Sequence, residues 1–125
     1  MSAKKILVAD DEPMIRKTLR LRLASEGFEV LEAADGAEVI EIAKTQRPDL
    51  IILDILMPHM NGVEASIALK QDKTTSDIPV IFLTALVPGK KDVSGTGKAV
   101  GDHIVFAKPF QFNRLLEEIK VLVKA

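Results

Sequence analysis

Asp10, Asp11, Asp54, Thr84 and Lys108 are the residues best placed to do chemistry, because each closes or follows a short apolar run. Leu50-Ile51-Ile52-Leu53 runs into Asp54, and Ile6-Leu7-Val8-Ala9 runs into Asp10-Asp11. Four large aliphatics in a row fit a strand buried on both faces, as in a parallel sheet covered by helices. Parallel strands place all their C-terminal ends on one edge, where ligands of open α/β sheets bind. Carboxylates gathered there repel one another and lose solvation unless a cation joins them. Magnesium favours one or two carboxylates with phosphate oxygens and water, and a hydroxyl (Thr84) with an ammonium (Lys108) would hold two further oxygens of a phosphoryl group. Asp54 is then the candidate nucleophile, since carboxylates form aspartyl phosphates. The plain alternative, that Asp54 only caps a turn, leaves the second acidic strand end unexplained.

Positioning these residues requires repeated βα units, and the chain alternates aliphatic runs with amphipathic stretches in that way. Ile6–Ala9 reads as the first strand. Pro13 suits the first turn of a helix with Ile15, Leu19 and Leu23 along one face, stopped by Gly27. Phe28–Ala33 is the second strand. Asp35 with Glu38 three residues on reads as a capping box for a helix that buries Val39, Ile40 and Ala43. Leu50–Leu53 is the third strand, Asn61-Gly62 a turn into a third helix, Pro79–Thr84 the fourth strand and His103–Ala107 the fifth. A last helix from about Gln111 to Val123 is expected to bury Leu115, Ile119 and Leu122. Neighbouring strands lie roughly 4.8 Å apart, so the acids converge if strands one and three are adjacent. Between strands four and five, Leu86–Asp102 holds four glycines and a proline, which predicts a short, irregular or frayed fourth helix, mobile beside the others.

The 125 residues make one domain, long enough for a core without staples, and 47% hydrophobic content is that of a globular protein. The absence of cysteine excludes disulfides and thiolate metal sites. No apolar run approaches the ~20 residues of a membrane span, and Met1–Lys5 leads into a strand rather than a signal peptide. Seventeen Lys and Arg against 18 Asp and Glu, with five Phe and neither Tyr nor Trp, argue against direct nucleic-acid binding.

Four segments together, Val8-Ala9-Asp10-Asp11-Glu12-Pro13, Asp54–Gly62, Leu83-Thr84-Ala85 and Lys108-Pro109-Phe110, resemble the receiver domain of two-component response regulators, the family of the bacterial chemotaxis regulator. The likeness covers essentially the whole chain, in the expected order. It implies a doubly wound five-stranded parallel sheet of order 2-1-3-4-5, flavodoxin-like (βα)5, with residues 1–125 a single receiver domain. It further implies that Asp54 is the phosphoacceptor, that Asp11, Asp54 and the Leu56 carbonyl bind Mg2+ with Asp10 helping through water, that Thr84 bonds the phosphoryl oxygen, and that Lys108 pairs with it. The Lys108–Pro109 bond is expected to be cis. The implied partners are a histidine kinase or phosphotransfer protein and a downstream protein target, met through the face of the fourth helix, fifth strand and fifth helix (the 4-5-5 face). Neither nucleic acid nor membrane is an expected partner, the setting is the cytoplasm, and the chain assists its own phosphorylation and dephosphorylation without being otherwise an enzyme. With nothing following Ala125, such a chain would act by docking, pass its phosphoryl group on, or belong to something longer.

Two positions depart from the family's pattern. An aromatic residue is usual three before the lysine; here that position is Val105, with Phe106 on the opposite side of the strand. The glycine-rich Leu86–Asp102 is the other, and signalling by its ordering is one expectation. Leu56 and Leu86, two residues after Asp54 and Thr84, are bulky and apolar and predict slow attack of water on the phosphoryl group. Other readings fare worse. Gly95-Thr96-Gly97-Lys98 has Asp92 and Ala99 where a P-loop needs Gly and Ser/Thr. His59 and His103 lack partners at metal spacing. A dehalogenase-type phosphatase needs an Asp where Leu56 stands, a flavin carrier needs donors rather than acids after strand one, and a receiver that docks without phosphorylation would not need the intact Asp11, Asp54, Thr84 and Lys108 set.

Overall fold

The computed structural model describes residues 3–85, 97–100 and 103–123. The elements in order are β1 (Lys5–Ala9), α1 (Pro13–Ser25), β2 (Glu29–Ala33), α2 (Gly36–Gln46), β3 (Leu50–Asp54), α3 (Gly62–Gln71), β4 (Val80–Thr84), β5 (Gly97–Val100), β6 (His103–Ala107) and α4 (Phe112–Val123). The sheet runs β2-β1-β3-β4-β6-β5. Its first five strands are parallel, the expected 2-1-3-4-5 order with β6 as the fifth parallel strand.

Side chains alternate across a strand, and both faces of this sheet are covered, which explains the unbroken aliphatic runs. Ile6, Val8, Leu50, Ile52, Ile81 and Leu83 face Leu19 and Leu23 of α1 and Leu115, Ile119 and Val123 of α4. Leu7, Ala9, Ile51, Leu53 and Phe82 face Val39 and Ala43 of α2 and Ala65 and Leu69 of α3. Arg22 of α1 stacks over the Phe112 ring of α4 at 4.2 Å, tying the two helices on that face. Phe106 lies in the first layer and Val105 against the second, so the two do occupy opposite sides of β6.

Three expectations need correction. Residues 97–100, placed in an irregular helix by the sequence, form strand β5, antiparallel to β6. Glycine and small residues make a weak helix, whereas pairing there covers the backbone groups that the outer edge of β6 would leave open. The rest of the expected fourth helix, residues 86–96 and 101–102, lies outside the described residues, as does the expected mobility and signalling of that segment. In α4 the buried stripe is Leu115, Ile119 and Val123, at spacing four, while Leu122 is only partly buried. At α2 Asp35 accepts from Glu38 N at 3.0 Å, but the Glu38 carboxylate takes Ala34 N instead of closing a box. The complete capping box is at α3, where Asn61 and Glu64 bond each other's backbone N–H at 3.0 and 2.9 Å.

Candidate functional site

The C-terminal ends of β1, β3, β4 and β6 bring the predicted residues together. Asp10 leaves β1 with its N–H on Ala33 O at 3.2 Å, and its Oδ1 accepts from Glu12 N at 2.9 Å. That turn puts Asp10 inside, fully buried, and Asp11 at the surface. Asp54 ends β3 at only 3% exposure, its Oδ1 accepting from Leu56 N at 3.2 Å. Gly62 permits this loop: its N–H bonds Ile55 O at 2.9 Å, and a Cβ there would collide with the Asp54 carbonyl oxygen. Thr84 is buried at the end of β4, and its carbonyl accepts from Lys108 N at 2.9 Å, which locks the β4 and β6 tips together. The Lys108–Pro109 bond is cis, as expected.

Lys108 reaches into the acids. Its Nζ stands 2.8 Å from Asp10 Oδ2, 2.9 Å from Glu12 Oε1 and 3.3 Å from Asp54 Oδ2, with its side chain 12% exposed. Burial and the neighbouring Asp10 carboxylate push the Asp54 carboxyl up to about 6, against the pull of Lys108 and the Leu56 N–H. Burial works against the Lys108 ammonium, but its contacts with Asp10 and Glu12 outweigh that and hold it well above the ordinary lysine value.

One carboxylate oxygen from each of Asp10, Asp11 and Asp54 lies within 4.8 Å of the others. Three hard oxygen donors at that spacing suit a small divalent cation. Asp10 Oδ2, fully buried, makes no hydrogen bond among the described residues; the nearby ammonium pairs with it outside hydrogen-bond alignment. The donor set therefore fits magnesium. Leu56 is half exposed beside the site, and Leu86 lies outside the described residues. Two further residues touch the cluster without being candidates by sequence: Glu12, paired with Lys108 Nζ, and Arg16, whose Nη1 bonds Asp10 O at 2.6 Å. Glu12 adjoins the acidic pair, which was a usable signal. Nothing in the spacing marked Arg16.

The sequence model of the response regulator receiver domain matches residues 6–120. The chain belongs to this family. It is a receiver domain of two-component response regulators, and its acidic pocket of Asp10, Asp11 and Asp54 fits the family's phosphorylation site. This receiver domain is 36% identical over 124 residues to the phosphate regulon transcriptional regulatory protein PhoB of Pseudomonas aeruginosa, an alignment covering 99% of this chain and 50% of that protein. A probable transcriptional regulator, ycf27 of Porphyridium aerugineum, is 38% identical over 99% of this chain and 50% of its own. The chain thus spans about half the length of the curated relatives it matches. Among solved structures, the chemotaxis response regulator CheY4 of Vibrio cholerae superposes with a TM-score of 0.80 at 35% identity, covering 97% of this chain and 99% of that one. The response regulator TrrA of Thermotoga maritima, solved in complex with Mg2+ and BeF, gives 0.78 at 37% identity over 95% and 98%. No helix among the described residues is long and apolar enough to cross a membrane.

Proposed function

We propose that Asp54 is the phosphoacceptor of this receiver domain, taking a phosphoryl group from the phosphohistidine of a kinase or phosphotransfer protein. The carrying observation is the convergence of Lys108 Nζ, 3.3 Å from Asp54 Oδ2, with three carboxylates on one sheet edge. A carboxylate oxygen of Asp54 attacks phosphorus in line, the N–P bond breaks, and the imidazole leaves with a proton. The transition state is loose, so placement and charge neutralisation carry most of the acceleration. Asp10, Asp11, Asp54 and the Leu56 carbonyl would hold Mg2+, which when bound supplies positive charge to the transferring phosphoryl oxygens. Lys108 supplies a second positive charge from within the fold, and its ion pairs keep it protonated and aimed. Thr84, at the adjoining strand end, offers its hydroxyl to the phosphoryl group. The new dianion redistributes charge around Lys108 and Thr84, whose backbones are joined, and so biases the position of the β4 and β6 tips.

The output is a protein–protein contact in the cytoplasm, at the side of the sheet where β6, the edge strand β5 and α4 lie in this chain and the 4-5-5 face lies in the family. Incubation with acetyl phosphate and Mg2+ tests the chemistry by intact mass. The expected result is one added phosphoryl group, lost in Asp54→Ala. An unmodified wild type, or a modified Asp54→Ala, would refute it.

A further inference from the structure

We infer that Arg16 is a positioning residue for the cation site, acting through the peptide between Asp10 and Asp11; the inference rests on the reading of that cluster as a magnesium site. Asp10 is where the chain departs from the sheet. Its N–H is still bonded across to Ala33 O, but its carbonyl accepts from Arg16 Nη1 at 2.6 Å. A hydrogen bond that short from an ionised donor is of the strong, charge-assisted kind.

The guanidinium is itself held from behind. Arg16 Nε reaches Glu32 Oε1 at 3.4 Å, and Glu32 Oε2 takes Arg20 Nη1 at 3.0 Å. Glu32 stands on β2 opposite Val8 of β1, so the sheet fixes the anchor. The Arg16 side chain is 20% exposed, which limits its freedom to swing into water.

Asp11 makes this arrangement consequential. It is exposed, and among the described residues its carboxylate has no hydrogen-bond partner. Asp10 and Asp54 each have an oxygen tied to a backbone N–H, at Glu12 and Leu56. The direction of the Asp11 side chain therefore depends on its own backbone, and the peptide plane that precedes it is set by the bond from Arg16 to Asp10 O. Outer groups that orient ligands typically change metal affinity by about 10- to 100-fold when removed.

A plain surface reading of Arg16, as half of an α1–β2 ion pair, makes the opposite prediction. Such pairs contribute little, and removing a positive charge near a cation site raises cation affinity. A loss of affinity in an Arg16 variant cannot come from the charge change itself.

The test uses the full chain, Mg2+ as titrant in calorimetry, and an amide NMR spectrum to verify the fold. Arg16→Gln should bind Mg2+ about 10-fold more weakly than wild type, and Arg16→Lys, which keeps one donor, should recover part of the loss. Arg20→Gln, which releases Glu32 on the side away from Asp10, should stay within about twofold. A folded Arg16→Gln with wild-type affinity, or an equal loss in Arg20→Gln, overturns the inference. Should Arg16→Gln not fold, a loss of threefold or more in Arg16→Lys, which keeps the charge, supports it, and wild-type affinity in Arg16→Lys overturns it. A wild-type chain that binds no Mg2+ refutes the proposed function instead.

Discussion

Neutralising Asp54 should stabilise this fold, and the gain should depend on pH in a set direction. Asp54 is 3% exposed and shares its pocket with the fully buried Asp10. Its carboxyl lies at about 6, against an ordinary 3.8, chiefly through burial and then through Asp10. A raised value means that the folded chain holds this proton more tightly than the unfolded chain does. The folded state is therefore penalised in full above pH 6, less as pH falls through 6, and not at all near 3.8. At 1.36 kcal/mol for each tenfold difference in proton affinity, the penalty is about 3 kcal/mol. The contrary pull of Lys108 is already contained in that value. Asp54→Asn, with the same shape and no charge, should thus gain up to about 3 kcal/mol at pH 7.5, roughly 10 °C in Tm for a domain of this size.

The assay is thermal and urea unfolding followed by far-UV circular dichroism between pH 4 and 8 in chelator, since the chain has neither Trp nor Tyr. The advantage of Asp54→Asn should shrink below pH 6 and vanish near pH 4. Mg2+ at one hundred times its dissociation constant should add about 2.7 kcal/mol to the wild type and little to Asp54→Asn, closing most of the gap at pH 7.5. Equal stability of the two chains at pH 7.5 in chelator, or an advantage that persists unchanged at pH 4, would refute the reasoning.

Gly62→Ala should cost at least about 2 kcal/mol in urea unfolding, because the added Cβ meets the Asp54 carbonyl oxygen. Asn61→Ala removes the cap of α3 and its reciprocal bond with Glu64, and should cost about 1 kcal/mol by the same measurement while leaving Mg2+ affinity unchanged. Lys108→Met leaves Asp10 and Asp54 without their shared cation. It should move the Asp54 titration, followed by carboxyl NMR, above 6 and lower the rate of labelling by acetyl phosphate at least about 100-fold, as loss of one charge-stabilising group does elsewhere.

The placement of the candidate site was legible in the sequence because its residues sit where a buried run must stop. A strand covered on both faces admits nothing polar until it emerges, so Asp54 after Leu50–Leu53 and Asp10 after Ile6–Ala9 mark the sheet edge by themselves. Alternation also placed Val105 and Phe106 on opposite faces before any coordinates did. The strand at 97–100 was not legible. Gly97-Lys98-Ala99-Val100 carries neither a helical stripe nor a β-branched alternation, and its pairing depends on the open edge of β6, a tertiary fact. The capping box was misassigned because Asp35-x-x-Glu38 and Asn61-x-x-Glu64 satisfy the same pattern, and only the path of the preceding chain decides which closes.

Arg16 and Glu12 show a different limit. Both act through long side chains that reach another element, Arg16 back to Asp10 O and Glu12 across to Lys108 Nζ, 96 residues later in sequence. Spacing along a helix constrains where a Cβ points but not where five further atoms end. The residues that would carry the chemistry are therefore announced by position. Those that aim them are set by reach, and reach is decided only when the sheet has placed Glu32 beside Val8 and Lys108 beside Thr84. Placement of this kind explains how an exposed residue such as Asp11 takes part in a cluster whose other members are buried: its direction is fixed through Asp10 by a guanidinium that the sequence alone leaves on a solvated helix face.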